Sequence, residues 1–404
     1  MVERSLFPEI YDEEGGSGIL PWQEIKRLVE SGRINASPDI PDSQIQPASI
    51  DLRLGREAYR VEASFLRGRS ATLLTKVNEL LVSKIDLTQP TPPLLEPRVV
   101  YIIPLLERLK LPDDIRGKAN PKSTTGRLDI FTRLITECGD AFDQVPKGYS
   151  GELYVEVSSR TFPIRLRAGM KLNQLRFERG NLDSLGNGNL RQLANEQNLI
   201  YDADGSPAKT RVDNGVEITV DLEGNGCSDI VAYKAHAKDP SRAIELDKVN
   251  HYDPADFWEV IPKPRDGRIV LETGGFYLLA SKRRVRVPLD HAAEMVAHDP
   301  SMGEFRVHYA GFFDPGFGYG ANGEISGTKA VLEVRAYEVP ILLEDDDLVG
   351  RLLYYPMASK PERVYGTSIG SSYQQQGLAL SKQFKRSDTQ TDSSSGRAQS
   401  LATA

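Results

Sequence analysis

The segment KSTTGR (122–127) crowds two cations, three hydroxyl groups and a glycine into six residues. Charge-assisted donors at that density are what a chain of phosphates needs, although the same composition also suits a polar turn. It is not a Walker A loop, because G-x-x-x-x-G-K-[ST] is missing. A second candidate is Glu156, in ELYVEVS (152–158). Strand alternation puts Leu153, Val155 and Val157 on one face and Tyr154, Glu156 and Ser158 on the other. A carboxylate is disfavoured in mid-strand, so Glu156 either faces water or lines a pocket.

Both regions have a counterpart further along the chain. PDD (112–114) precedes the basic segment and then GYSGELYVEVSSRTFPIRLRAGMKLNQLRF (148–177). PLD (288–290) precedes VHYAGFFDPGFG (307–318) and then GTKAVLEVRAYEVPILLEDDDLVGRLLYY (327–355). With YVEV laid on VLEV, Glu156 corresponds to Glu333, a weak internal duplication that the matched glutamates lift above chance. The counterparts of Lys122, Ser123 and Arg127 are His298, Asp299 and Gly303. Two other patterns carry no chemistry. GYGANG (318–323) matches G-x-G-x-x-G but is followed by a strand pattern, so it reads as a hairpin loop. EDDD (344–347) cannot converge four consecutive acids on one ion and reads as a solvated turn.

The elements that must hold these residues are mostly strands. A helix is expected after Pro21, with Trp22, Ile25, Leu28 and Val29 on one face and Gly32 beyond its end. SIDLRL (49–54), VVYII (99–103), ELYVEV (152–157) and MKLNQLRF (170–177) then alternate between turn residues, the pattern of a β-sandwich or barrel. The expected organisation is an extension (1–18), a first domain (19–184), a linker with one short helix (185–210), a second domain (211–385) and a tail (386–404). That tail is rich in Ser, Thr, Gln and Asp, lacks aromatic residues and should be disordered.

Composition narrows the chemistry. The 404 residues suffice for two domains, with 39% apolar and 26% charged residues. The longest apolar stretch, 99–106, falls far short of the ~20 residues of a membrane helix, and no secretory signal opens the chain. A cytoplasmic protein without membrane contact is expected. The net charge of −7 argues against nucleic-acid binding, while five cations against one acid in 116–133 suit a small anionic ligand. Cys138 and Cys227 form no C-x-x-C pair and the five histidines show no ligand spacing, so no zinc site is expected.

These segments resemble the dCTP deaminase family. QIQPASIDLRLG (44–55) is similar to the signature opening the family core, and EIKRLVESGRI (24–34) to its N-terminal helix. KSTTGRL (122–128) resembles R-S-S-x-x-R-L, and GYSGELYVEV (148–157) resembles G-W-S-G-x-x-x-L-E-F, with Glu156 on the glutamate. DPGFG (314–318) is close to D-P-G-W, and YGTSIGSSYQQQG (365–377) resembles the tail that closes over nucleotide. The resemblance touches most of residues 19–385, and the two-repeat arrangement is similar to a longer bacterial form.

The resemblance implies a mainly β chain of two tandem dUTPase-like domains, each a distorted jelly roll, with a short N-terminal helix. It implies a homo-oligomer, usually a trimer, with sites between neighbouring units. The implied reaction converts dCTP to dUTP and ammonia, supplying dUTP for dTMP synthesis, with dTTP as an inhibitor. Zinc-type deaminases need H-x-E and P-C-x-x-C, which this chain does not supply, so a carboxylate is left to activate water. By resemblance Glu156 is that base, Ser123 holds the water and Arg127 stabilises charge. Lys122 and Thr124 take triphosphate oxygens alongside Mg²⁺ carried by the nucleotide, and Tyr365, Tyr373, Gln375 and Gln376 occupy lid positions.

The repeats depart from the pattern in complementary ways. An acid where the first repeat has Ser123 would repel triphosphate, so the second repeat loses an independent site while keeping Glu333 and the lid. The working site is therefore open to being composite, with Ser123 and Arg127 from one repeat and the lid, or even Glu333, from the other. The alternatives are a dUTPase, a bifunctional enzyme that continues to dUMP, and a non-catalytic nucleotide-binding protein.

Overall fold

The computed structural model describes residues 16–66, 72–137, 139–224, 229–236, 238–239, 241–297, 305–307, 311–320, 323–366 and 377–386. Among them, no helix is long and apolar enough to cross a membrane. The chain folds into two β-sandwiches with one topology. In the first, the larger sheet runs Leu81–Asp86, Glu57–Val61, Val100–Lys110, Ser150–Ser159, Ile130–Thr136, with Ile34–Ala36 added on Val100–Lys110. In the second it runs Trp258–Pro262, Ile230–Ala235, Phe276–Val285, Thr328–Ala336, Phe305–Val307, with Ile200–Tyr201 added on Phe276–Val285. The smaller sheets match too: Ile50–Arg53, Lys171–Arg179, Ile115–Pro121 and Gln144–Val145 correspond to Val216–Thr219, Leu348–Pro356, His291–Ala297 and Phe312–Phe313.

Each repeat opens with a helix whose apolar face seals one end of its sandwich. Trp22–Glu30 follows Pro21 and buries Trp22 and Ile25, with Leu28 and Val29 packed on the first core. Residues 185–210, expected as a linker, carry the counterpart, Asn187–Gln197. Its Leu190, Leu193 and Ala194 enter the second core with Leu199 and Ile200. The apolar spacing of this helix makes it part of the second repeat. GYGANG leads into the strand Thr328–Ala336, as its context implied. EDDD forms a turn whose acids are held: Asp345 accepts from Lys282 and the Leu222 N–H, and Asp346 from Thr219 and Arg283. This turn is ion-paired, where a solvated one was expected.

The two cores are not independent. On the second repeat's larger sheet, Tyr277, Leu279, Leu332 and Val334 face inward, while Phe276, Leu278 and Val331 face outward onto the first repeat's core. Residues 241–257 reach back as well: Ile244–Glu245 pairs in parallel with Ile164–Arg165. Phe162, Phe257, Trp258 and Phe384 stack edge to face at 5.6–5.9 Å. Phe384 belongs to the last described segment, 377–386, so the chain end returns to the first repeat. Beyond Arg386 the tail expected to be disordered lies outside the described residues.

The motif QIQPASIDLRLG acts structurally. The fully buried Glu107 accepts from Arg53 Nε at 2.7 Å, from the Arg53 backbone N–H at 2.8 Å and from Gln44 Nε2 at 2.7 Å. The Arg53 guanidinium also donates to the carbonyls of Pro38 and Asp39. Glu107→Ala would strand that cation in the core, a loss of about 3–5 kcal/mol. The expected result is a lower urea midpoint for the first repeat; an unchanged midpoint would show that the pair contributes nothing.

Candidate active site

The docked repeats line an open cleft with about 80 Å³ of room for water. The first repeat supplies Lys122, Ser123, Gly126 and Arg127, and the second Phe312, Phe313, Asp314, Phe317, Val331, Glu333 and Tyr365. KSTTG forms a single helical turn, Ser123–Gly126, at the end of Ile115–Pro121. The Lys122 N–H and Thr125 Oγ1 both donate to the Leu172 carbonyl, at 2.8 and 3.0 Å, pinning the turn to Lys171–Arg179. Ser123 is exposed at its tip and Arg127 is buried at its end. Lys122 is paired with Asp51, which gives the aspartate of SIDLRL a place at the cleft. Thr124 does not line the cleft; its carbonyl accepts from Ser381 Oγ at 3.0 Å. One residue pair away, Arg127 Nη1 donates to the Ala379 carbonyl at 3.1 Å.

Across the cleft, Glu333 lies on the outer face of Thr328–Ala336, opposite Leu278. Burial pushes its carboxyl up to about 7, partly opposed by the positive charge of Arg127. A carboxylate poised near neutrality suits general acid–base work. Asp314 is half-buried, and desolvation pushes its carboxyl up to about 6, an effect moderated by the Arg176 charge. Arg176 is itself fully buried, 4.0 Å over the Phe312 ring, and donates to the carbonyls of Ala293 and Phe313. In DPGFG, Gly316 has φ +89°, and a Cβ there would stand 3.0 Å from that of Val364. This glycine lets Tyr365 close in: its N–H reaches the Pro315 carbonyl at 2.9 Å and its ring sits 5.4 Å from Phe317.

Glu156 is elsewhere. It is buried, and Arg133, its register neighbour, donates to Oε1 through Nη2 at 2.6 Å and Nε at 3.1 Å. Arg133 also donates to Ser64 Oγ and lies 3.7 Å over the Phe142 ring. The face carrying Glu156, expected to meet water or a pocket, is covered by the helix Leu73–Glu79, whose Leu73 and Val77 pack with Tyr154 and Ile102. The sequence-derived set therefore divides. Ser123, Arg127, Lys122, Glu333 and Tyr365 come together, Glu156 and the Thr124 side of the turn do not, and Tyr373, Gln375 and Gln376 lie outside the described residues. Asp314 and the Phe312, Phe313 and Phe317 wall were not singled out as site residues, although DPGFG carried the signal. His298, Asp299 and Gly303 also lie outside the described residues.

A duplicated sandwich that faces a basic turn of one copy with a buried glutamate of the other defines a dUTPase-like nucleotide enzyme. Comparison with known proteins gives the family. The 2'-deoxycytidine 5'-triphosphate deaminase N-terminal domain matches residues 16–181, and the C-terminal domain of the same family matches 186–384. A dUMP-forming dCTP deaminase of Dictyoglomus thermophilum is 30% identical over 162 residues, 39% of this chain and 79% of the relative. A dCTP deaminase of Natronomonas pharaonis is 30% identical over 161 residues, again 39% and 79%. The crystal structure of 2'-deoxycytidine 5'-triphosphate deaminase from Agrobacterium tumefaciens superposes with a TM-score of 0.78 at 42% identity, covering 84% of this chain and 99% of the other. The chain belongs to the dCTP deaminase family, in a tandem-repeat form.

The raised Glu333 carboxyl has a thermodynamic signature. Its folded value lies above its unfolded one, so its contribution to stability is present at low pH and is lost as pH rises through about 7. The loss is roughly 3 kcal/mol. Glu333→Gln lacks it, so the variant should gain thermal stability over the wild type between pH 5 and pH 8. Parallel melting curves would refute the buried, raised carboxyl.

Proposed function

We propose that the chain converts dCTP and water to dUTP and ammonia in the composite cleft, with Glu333 as the general base. The observation that carries this reading is the meeting of Glu333 with Ser123 and Arg127 across the repeat junction. Glu333 takes a proton from water and the hydroxide adds to C4 of the cytosine. The carboxyl then returns that proton to N3. The added hydroxyl gives up its own proton, by way of the glutamate, to the amino group. Ammonia leaves with the C4–N bond, and the C4 carbonyl of uracil remains. Ser123 holds the water, and Arg127 stabilises the developing charge and keeps the ionised base accessible. Lys122 faces the phosphates of a nucleotide that arrives as its Mg²⁺ complex. The aromatic wall and Tyr365 shut the base away from bulk water.

Glu156 has a structural role in this reading, since its carboxylate is already engaged by Arg133. One chain then holds one working site. Assembly of the chain into a homo-oligomer, a trimer by resemblance, leaves that site intact because a single chain completes it. dTTP would compete in the same cleft, and the reaction belongs to the cytoplasmic nucleotide pool. A second reading, in which dUTP is carried on to dUMP, draws support from the relatives named dUMP-forming and from Asp314, a second carboxyl at the cleft.

Incubation of the purified protein with dCTP and Mg²⁺ is expected to release ammonia and dUTP in equal amounts; pyrophosphate release would support the second reading, and no ammonia would refute both. Glu333→Gln should lose roughly 10²–10⁴-fold in turnover while still binding nucleotide. Glu156→Gln should keep turnover within a few-fold. An inactive Glu156→Gln beside an active Glu333→Gln would reverse the assignment.

A further inference from the structure

Glu333 and Arg335 stand two residues apart on Thr328–Ala336, so both side chains leave the same face of the strand and meet the first repeat. The Arg335 guanidinium bonds through Nη2 to the carboxylate of Asp129 and, at 3.2 Å, to Thr161 Oγ1, while Nη1 donates to the Gly274 carbonyl. Arg335 is buried and Asp129 is fully so. Asp129 is in turn fixed to the turn that carries Ser123 and Arg127. Its N–H donates to the Gly126 carbonyl at 2.9 Å, and its carbonyl and carboxylate accept from the Arg160 N–H at 2.9 Å and Thr161 Oγ1 at 2.6 Å. Its φ of +56° places it in the left-handed region, a local bend imposed by these bonds.

Two charge couples of reversed order therefore cross the repeat junction. Glu333 then Arg335 on the strand faces Arg127 then Asp129 on the turn. Sliding the strand along the junction would set like charges together in a dry interface, so one alignment is selected. The corresponding position in the first repeat, two after Glu156, is Ser158, which cannot form such a couple. The device is confined to the junction where the cleft forms.

We infer that Arg335, through Asp129, is a positioning residue that sets the register of Glu333 against Ser123 and Arg127. This inference rests on the reading of Glu333 as the base. A base must lie within hydrogen-bond reach of the water it activates, and a misplacement of about 1 Å costs on the order of 10²-fold in rate. Substrate binding by Lys122 and the aromatic wall does not pass through Arg335, so the loss should fall on kcat.

The test uses the full-length chain with dCTP and compares R335M, R335K and the double variant D129N/R335M, in which both buried charges are removed. In R335M, kcat should fall about 100-fold with KM within 3-fold. The acidic limb of the kcat–pH profile should move to higher pH, because Glu333 leaves the field of Arg127; Lys122 and Asp314 are the other charged groups at that cleft. R335K, which keeps the cation, should recover part of kcat. D129N/R335M should melt close to the wild type yet keep the low kcat and displaced limb, which separates positioning from folding. Wild-type kcat and pH profile in that folded double variant would overturn the inference. Full ammonia release by E333Q would instead sink the assignment of the base, so the two failures are distinguishable.

Discussion

The outer face of the second repeat's larger sheet is apolar, and everything else at the junction follows from the need to bury it. Phe276, Leu278, Trp258 and Val331 join the core of the first repeat. At about 25 cal/mol per Å² of apolar surface removed from water, such a face supplies the drive for docking but little directional information. Direction comes from charges at the junction: Arg335 on Asp129 beside that face and, between the two smaller sheets, Lys118 on Glu294 at 2.6 Å and the buried Arg176 over Phe312. Apolar burial holds the repeats together, and the charges decide in which register.

The same sheet face in the first repeat has a different fate. There Ile102 and Tyr154 are covered by the helix Leu73–Glu79, and Arg133 folds onto Glu156 beside Ser64 and Phe142. Two glutamates at equivalent register positions thus sit in opposite environments. Glu156 has a cation in direct contact. Glu333 faces the cleft, where burial raises its carboxyl toward neutrality and the more distant positive charge of Arg127 only partly opposes the rise. The repeats differ in what covers the strand as well as in the strand itself, where Ser158 stands at the position of Arg335.

The burial that raises the Glu333 carboxyl also works against stability at neutral pH. The structure offsets that cost with contacts far from the chemistry. The returning segments 241–257 and 377–386 tie the second repeat to the first through Ile244–Glu245 and the Phe162, Phe257, Trp258 and Phe384 cluster. Ser381 and Ala379 then contact the carbonyl of Thr124 and the guanidinium of Arg127, so the chain end also braces the basic turn.

Much of this was legible in the sequence because it depends on local periodicity. Alternation located the strands, Pro21 and the spacing of Trp22 and Ile25 located the helix, and YVEV against VLEV revealed the duplication. KSTTGR points to the basic half of the cleft, while DPGFG reads from sequence only as a family motif. What remained undetermined was long-range. A period-two pattern states that a strand has two faces but not what covers the second one, so it does not show that Glu156, the base by resemblance, is covered while Glu333 faces the cleft. Asp129 and Arg335 are separated by 206 residues, and Arg53 and Glu107 by 54; no pattern of neighbours pairs them. The linker became a helix of the second core because its apolar face found a sandwich end to seal. The sequence by itself determined the fold, its doubling and the chemistry available. Only the tertiary structure chose which glutamate meets the basic turn, because that choice is made by the burial of one sheet face against the other repeat.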